Sequence, residues 1–387
     1  MHESETKKTI RTFAAASFLN DLGSDIIYPV WPFFVTEFLK ANMSSLGFLD
    51  GLGEALVSLS PAASGYYSDR VRKRKVFIWT GYLLSALSRV GYALSSLWQY
   101  LIPFRIMDRT GKIRSAPRDA IVADISTDRN RGKNFGLLRT MDNLGAVAGI
   151  LICILLIHFL GYRTLFGLAA LPSLISALLI LSLIKEKKTE KIKIFKGISL
   201  KDLDRNFRLF LSLSSVYALG AFSYSFLLIY AKKCGFRVTF VPVLYLIFTA
   251  SKALFSLPFG KLSDRIGRKP VIFISFFLWI GVCLLFILSQ SHVMIVISFI
   301  LYGAHKGALE PVEKTFVSEL APIAYRASSL GGFQMVVGIC AFPASFLAGI
   351  LWENFGMCAP FYFSLTLTVL AAVMLIFVKK KSPITPL

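Results

Sequence analysis

An all-α membrane protein made of two related six-helix bundles is the fold that the sequence predicts, and three observations predict it. Apolar stretches of about 20 residues recur along the whole chain, each long enough at 1.5 Å rise per residue to cross a hydrocarbon core of roughly 30 Å. The 387 residues are 55% hydrophobic and only 17% charged, with a mean hydropathy of +0.64, which leaves no stretch from which a soluble domain of any size could form. The loop "GYYSDRVRKRK" at Gly65 returns as "GKLSDRIGRKP" at Gly260, so the chain carries an internal duplication.

Twelve transmembrane helices follow, centred near residues 25, 55, 87, 110, 147, 173, 220, 250, 280, 307, 338 and 369. The first starts after Lys7, Lys8 and Arg11 and carries Asp21 and Asp25; the second carries Asp50 and Glu54 and ends in the Gly65 loop. The third holds Arg89. The fourth opens as "LWQYLIPFRI" and runs into "MDRTGKIRSAPRD", thirteen residues of which six are charged. The fifth contains Arg139, Asp142 and "DNLGAVAGI", whose Gly145 and Gly149 stand at the four-residue spacing of close helix packing. The sixth is apolar and ends at the basic segment "KEKKTEKIKIFKGISLKDLDRNFR". That segment divides the chain into an N-terminal bundle, residues 1–184, a linker, residues 185–208, and a C-terminal bundle, residues 209–387. Among the later helices, the eighth carries Lys252 and ends in the Gly260 loop, and the tenth carries His305, Lys306, Glu310, Glu313 and Lys314.

The formal net charge of +21 follows the positive-inside rule rather than a nucleic-acid face, because no soluble basic module exists. Lys and Arg gather before the first span, at Arg70 to Lys75, at Arg129, Arg131 and Lys133, and at Lys185 to Arg208, while loops of opposite parity carry few. Both termini are therefore expected on the cytoplasmic side of the plasma membrane. The N-terminus has no small-residue cleavage site and does not read as a removable signal peptide. Five isolated cysteines and the lack of clustered histidines point away from a disulfide framework or a metal site, and no cofactor is expected. P-loop, HExxH and GxSxG motifs do not occur, which points away from an enzyme or an ATP-driven pump.

The duplication keeps one register. An offset of 195 pairs Gly65 with Gly260, Asp69 with Asp264, Arg70 with Arg265, Arg131 with Arg326, Gly136 with Gly331, Gly161 with Gly356 and Phe166 with Phe361. On these residues the chain resembles the major facilitator superfamily of secondary transporters, whose loop signature is G-x-L-x-D-R-x-G-R-[RK]. The second copy fits throughout, with Gly260, Leu262, Asp264, Arg265, Gly267, Arg268 and Lys269; the first keeps Gly65, Asp69, Arg70, Lys73 and Arg74 but has Tyr67 and Arg72 at the Leu and second Gly positions. The resemblance implies that these loops gate one side of the protein. It also implies alternating access by two rocking bundles around a central site lined by the first, fourth, seventh and tenth helices.

In the fourth helix Arg105, Asp108, Arg109 and Lys112 are spaced 0, 3, 4 and 7, so they share one helical face and must point at water or at partners rather than at lipid. "DRTGKIRSAPRDA" is similar to "DRxGKGxRxAPRDA" of family members labelled as exporters, one Gly short, which is expected to alter the twist before Pro117. The expected pathway for substrate and protons is Asp21, Asp25, Glu54, Arg105, Asp108, Arg109, Arg139, Asp142 and Glu310. His305 is open between a proton relay and a packed histidine. The expected activity is proton-coupled export of a small polar or amphipathic organic solute by a monomer in the lipid bilayer. The alternatives are a uniporter or importer in the same fold, and more remotely a membrane sensor or lipid handler.

Overall fold

The computed structural model describes residues 2–71, 73–127, 130–185, 204–321 and 326–378. Among these residues the regular structure is helical throughout, and seven helices are long and apolar enough to cross a membrane. All seven lie beyond residue 131, because the helices before it carry the ionised residues that lower their hydropathy. Large apolar side chains such as Leu155, Phe159, Leu254, Phe277 and Leu288 stand exposed on the helix surfaces, as contact with acyl chains requires.

In chain order the helices are α1 (His2–Ile27), α2 (Trp31–Phe33), α3 (Met43–Val71), α4 (Arg74–Leu94), α5 (Leu101–Thr110), α6 (Ser115–Ile125), α7 (Arg131–Leu183), α8 (Arg205–Gly220), α9 (Tyr224–Lys233), α10 (Val241–Ile266), α11 (Arg268–Leu288), α12 (His292–Leu320), α13 (Arg326–Phe355) and α14 (Ala359–Ile376). Contacts divide the chain into two compact units. One comprises Met1–Phe195 with Tyr224–Leu246; the other comprises Lys196–Ser223 with Ile247–Leu387.

Several elements break where local chemistry requires. The first helix begins well before its expected centre and stops at Ile27, ahead of Pro29. Pro32 then starts α2, where its missing N–H is harmless, and a wide π turn over Phe34–Phe38 follows. Between α5 and α6 the chain tightens into a 3₁₀ turn over Gly111–Arg114, the change of twist expected from the shortened motif, and Pro117 falls in the first turn of α6. The long α7 is two rods, because Gly161 has φ 66° and ψ 171°.

Positive φ angles expose the duplication in the backbone. The described residues with φ > 0 are Lys40, Gly161, Gly235, Gly267 and Gly356. Lys40 and Gly235 are 195 apart, and so are Gly161 and Gly356. Gly267, at φ 97°, needs its lack of a Cβ for the turn of the second loop copy; its counterpart Arg72 lies outside the described residues.

The first unit is built on α1 against α7. Gly145 faces the Phe18 backbone and Gly149 faces Leu22 and Asp25, so a Cβ at Gly149 would stand 3.1 Å from both the carbonyl carbon and the Cβ of Asp25. The glycine pair therefore serves close helix packing. At one end of this contact Ile10, Phe13, Ala16, Ile78, Tyr82, Val122, Leu138, Ala177 and Ile180 form an apolar core. Deeper in, Arg89 of α4 is 1% exposed and is held by neutral acceptors: it donates to Asn20 O at 3.2 Å, Ser24 Oγ at 2.7 Å, Ala169 O at 2.9 Å and Ser173 Oγ. Ser173 in turn donates to Asn20 Oδ1 at 2.9 Å, so one guanidinium ties α4 to α1 and to the second rod of α7.

In the second unit, α12 crosses α10 through Gly303 and Gly307, where Cβ atoms would meet the Phe248 carbonyl at 2.6 Å and the Lys252 carbonyl at 2.8 Å. His305 is completely buried. Its Nδ1 lies 2.8 Å from the Ser275 carbonyl, which can only accept, so Nδ1 carries a proton, and Nε2 lies 2.7 Å from the Tyr217 hydroxyl. Trp279 stacks near this ring and donates to Ser364 Oγ at 2.8 Å. The packed reading of His305 is the one that this geometry supports.

Two stability predictions follow from the first unit. Gly149→Val forces α7 away from α1 and should cost about 1 to 3 kcal/mol, read as a lower Tm of the detergent-purified protein. Arg89→Met leaves buried carbonyls and hydroxyls without their donor and should cost about 3 kcal/mol or more, a larger Tm loss than Gly149→Val in the same assay.

Candidate functional site

The charged face of the fourth span is folded inward. Arg105 (3% exposed) donates from Nη2 to Asp50 Oδ1 of α3 at 2.8 Å and from Nε to the Leu49 carbonyl at 3.3 Å. Trp31 of α2 donates its indole N–H to the same Asp50 oxygen at 2.9 Å, and the Arg105 guanidinium lies 4.4 Å over the Trp31 ring. Asp50, 2% exposed, is thus clamped from two sides.

One turn on, Arg109 and Asp108 are buried but held more loosely. The Arg109 Nη1 donates to the Tyr28 hydroxyl at 3.0 Å and its guanidinium lies 4.9 Å over the Tyr28 ring. Its Nε is 3.5 Å from Asp108 Oδ2 and makes no hydrogen bond among the described residues. Gly53 gives both arginines room, since a Cβ there would stand 3.1 Å from Arg105 Nε and 3.2 Å from Arg109 Nε. Neither Asp108 nor Arg109 turns outward.

Asp25, on α1, is also buried, and its hydrogen-bonding partner is the Tyr245 hydroxyl at 3.5 Å. Tyr245 packs on Tyr224 with ring centroids 5.1 Å apart, and the Tyr224 hydroxyl donates to the Tyr28 carbonyl at 3.2 Å. Asp25, Tyr28, Arg109, Tyr224 and Tyr245 therefore form a continuous polar and aromatic cluster within the first unit. Asp21 accepts from Asn20 at 3.0 Å. Asp142 of α7 is half-buried, 3.7 Å from the exposed Arg139, and its Oδ1 has no hydrogen-bond partner among the described residues. Glu54 is exposed on α3, apart from the clamp.

In the second unit, Lys252 and Glu310 pair at 2.8 Å across the α10–α12 crossing, with side chains 36% and 43% exposed. The glycine contacts at Gly303 and Gly307 set that crossing, and Glu310 lies one turn beyond them.

The loop motifs form a second kind of site. Arg74, 5% exposed, donates to Asp124 at the end of α6 at 2.5 Å. Arg268 binds Asp264, and also donates to Ser263 Oγ at 2.6 Å and to Glu319 at the end of α12 at 2.9 Å. Asp124 and Glu319 are 195 apart, so each copy ties its loop to the equivalent acid of the equivalent helix. The arginine differs in register: the position equivalent to Arg74 is Lys269, which donates to the carbonyls of Ile376 and Val378 at 2.7 and 3.0 Å. Arg70, Lys73 and Arg265 are exposed. The Asp69 side chain lies outside the described residues. Gly65 would make only ordinary contact through a Cβ, 3.5 Å from Ala116, and Gly260 would make none within 4 Å, so neither is pressed by a neighbouring helix here.

Sequence reasoning found the ionised members of the buried groups but not Glu319 of the loop pairs, nor Tyr28, Trp31 or Tyr245. Their signal was weak, because aromatic residues at the end of an apolar span are common in cores and at interfaces. Arg114, at the end of the 3₁₀ turn that follows α5, is buried: it donates to the Gly111 carbonyl at 2.7 Å and lies 4.8 Å over the Tyr82 ring.

Known proteins share this architecture. The family model described as Major Facilitator Superfamily matches residues 13–242 and 208–386. An uncharacterized MFS-type transporter of Methanocaldococcus jannaschii is 34% identical over 387 residues, covering 97% of this chain and 96% of that protein. The multi-drug resistance efflux pump PmrA of Streptococcus pneumoniae is 25% identical over 339 residues, 83% of this chain and 84% of the pump. Among solved structures, one of the nucleoside transporter NupG superposes with a TM-score of 0.83 at 17% identity, covering 96% of this chain and 100% of that one. With the duplicated loops, the helical fold and a family match that runs through both halves, the chain belongs to the major facilitator superfamily of membrane transporters.

Proposed function

We propose that this transporter exports a small polar or amphipathic organic solute in exchange for protons, and that Asp25 and Asp108 carry the protons. The observation that carries this reading is the unequal holding of buried acids. Asp50 is clamped by a guanidinium at 2.8 Å and an indole at 2.9 Å, whereas Asp108 meets Arg109 only at 3.5 Å and Asp25 meets Tyr245 at 3.5 Å. A carboxylate that loses its basic neighbour in a low-dielectric interior takes up a proton, so the loosely held acids suit a cycle of release and uptake. Asp50 suits a fixed support. Arg109, whose Nε N–H makes no hydrogen bond among the described residues, is the cation that changes partners as the cycle turns, and the second unit holds a half-exposed charge pair of its own in Lys252 and Glu310.

Similarity to an efflux pump supports the outward direction, and the basic loops support cytoplasmic termini in the plasma membrane. The two bundles, residues 1–184 and 209–387 with the linker 185–208 between them, would alternate access within a monomer of twelve spans; residues 186–203 of the linker lie outside the described residues.

The test begins with a panel of metabolites and toxicants offered to cells with and without the gene. The solute so found is then followed in proteoliposomes under an imposed pH gradient. Accumulation against its own gradient should collapse when an uncoupler removes the proton gradient; accumulation that survives the uncoupler overturns the coupling, and simple equilibration without proton movement indicates a uniporter. Asp25→Asn should lower gradient-driven transport at least about tenfold, an effect equal to roughly 1.4 kcal/mol, while leaving Tm near that of the parent. Asp50→Asn should do the reverse first, lowering Tm because Arg105 loses its charge partner.

A further inference from the structure

The duplication shows which charges of the second unit the architecture itself can omit. At the offset of 195, Lys252, Lys306 and Glu310 are equivalent to Val57, Gly111 and Ser115, so the first unit builds the same two spans with no charge at any of the three places. A charge inside an apolar span is costly, and one that the fold does without in its other copy points to something that the charge binds.

Lys306 is the least satisfied of the three. It is the central residue of the 29-residue α12, about 21 Å from either end at 1.5 Å rise per residue, farther than a lysine stem reaches toward a headgroup. Lys306 is half-buried, and among the described residues it forms no ion pair; its ammonium stands 6.0 Å from the Tyr302 ring, at the limit of a cation–π contact. Glu310, one turn on, is already engaged, because both of its oxygens lie 2.8 Å from Lys252 Nζ. Lys314 brings a further ammonium near Glu310, and Glu313 has Ser214 of α8 beside it. Three cations thus share this stretch of α12 and α10 with two acids. The neighbouring surface is aromatic: Tyr302 stacks on Phe248 of α10 with ring centroids 4.6 Å apart, at the crossing that Gly303 and Gly307 hold close.

We infer that Lys306, with Lys252 beside it, receives the carboxylate of the cargo, and that the cargo is an organic acid whose apolar or aromatic body rests against Tyr302 and Phe248. The inference deepens the transport reading above and rests on it for the existence of a carried solute, not for direction or proton coupling. A compact ammonium on a flexible stem suits a carboxylate that has to be taken up and released again, where the planar fork of an arginine would grip it with two parallel bonds. Glu310 is then the chain's own carboxylate on Lys252, and the cargo competes with it.

The experiment reads binding without a gradient. The full chain in phosphatidylcholine nanodiscs is titrated with benzoate, and separately with benzylammonium, at an ionic strength held constant with chloride, and Tm is followed. Benzoate should raise Tm to a plateau and benzylammonium should leave it unchanged. Lys306→Gln should raise the half-saturating benzoate concentration at least about tenfold, the loss expected when a hydrogen bond to a charged group is removed, while its Tm without benzoate stays near that of the parent. Lys306→Arg, which keeps the charge, should bind benzoate more tightly than Lys306→Gln. Glu310→Gln should lower the half-saturating concentration, because benzoate no longer competes with a carboxylate for Lys252. Lys306→Met replaces Lys306→Gln where the latter does not purify as a monodisperse protein. A parent that does not respond to benzoate overturns the site, as does a response that Lys306→Gln leaves at the parental concentration or one given to benzylammonium instead. Replacing part of the phosphatidylcholine with phosphatidylglycerol distinguishes a lipid headgroup from a soluble acid: a benzoate response that survives supports the cargo assignment, and one that phosphatidylglycerol abolishes in the parent overturns it. Failure of benzoate binding leaves the proton exchange proposed above standing, and transport that proves independent of protons leaves this site standing.

Discussion

The buried pair of Arg105 and Asp50 is the interaction from which the first unit is organised. An ionised side chain at the bilayer centre costs roughly 2.5 to 3.5 kcal/mol on insertion scales, so the charged face of the fourth span has to close on partners before the helix can sit in a membrane. Asp50 supplies the opposite charge, and Trp31 both shares the carboxylate and covers the guanidinium. Three elements, α2, α3 and α5, are thereby fixed to one another. Gly53 is drawn against the two arginines, Arg109 is brought to Tyr28, and Trp31 becomes the base of the turn that carries Glu37.

The unit holds more cations than close carboxylates, and it disposes of the excess in a consistent way. Arg105, Arg109 and Arg114, successive along the fourth span, each lie over an aromatic ring, at 4.4, 4.9 and 4.8 Å from Trp31, Tyr28 and Tyr82. Such stacking gains electrostatic energy while leaving the guanidinium edge free for hydrogen bonds. Arg89 uses neither ring nor carboxylate but carbonyls and hydroxyls of α1 and α7. Lysine, with a single compact ammonium, could not reach four acceptors on two helices at once.

Much of this was legible in the chain. The spacing 0, 3, 4 and 7 in the fourth span placed Arg105, Asp108 and Arg109 together on an inward face, and the offset of 195 revealed a duplication that the backbone repeats at Lys40 and Gly235 and at Gly161 and Gly356. Partners were less legible, since a helical period says which residues share a face and not what that face meets. Lys112 lies in the 3₁₀ turn at Gly111 to Arg114, past the last regular turn of α5, and still stands near Asp25 and Arg109, so the inward face continues through the change of twist. The break of the first span at Pro29 hid Trp31 and Glu37, because an apolar run interrupted by proline still reads as one span. Glu37 and Lys232, which form an ion pair within the first unit, did carry a signal, opposite charges one repeat apart, and reading it required the register to be extended to residues that do not match.

The duplication preserved the backbone and let the chemistry diverge. The positions equivalent to Asp108, Arg109 and Thr110 are Gly303, Ala304 and His305. Where the first unit folds charges inward, the second uses Gly303 for a close crossing of α12 on α10, and a buried His305 held between Ser275 and Tyr217. Its charge pair lies elsewhere, at Lys252 and Glu310, and is half-exposed where Arg105 and Asp50 are buried. Repeating the buried network in both units would have doubled the desolvation cost. Keeping the first unit's Arg105 and Asp50 buried and clamped, and the second unit's Lys252 and Glu310 half-exposed, meets that constraint. The loosely paired Asp108 and Arg109 and the half-exposed Glu310 thereby stand on the two helical spans that the duplication makes equivalent, with Lys252 on the helix that crosses one of them.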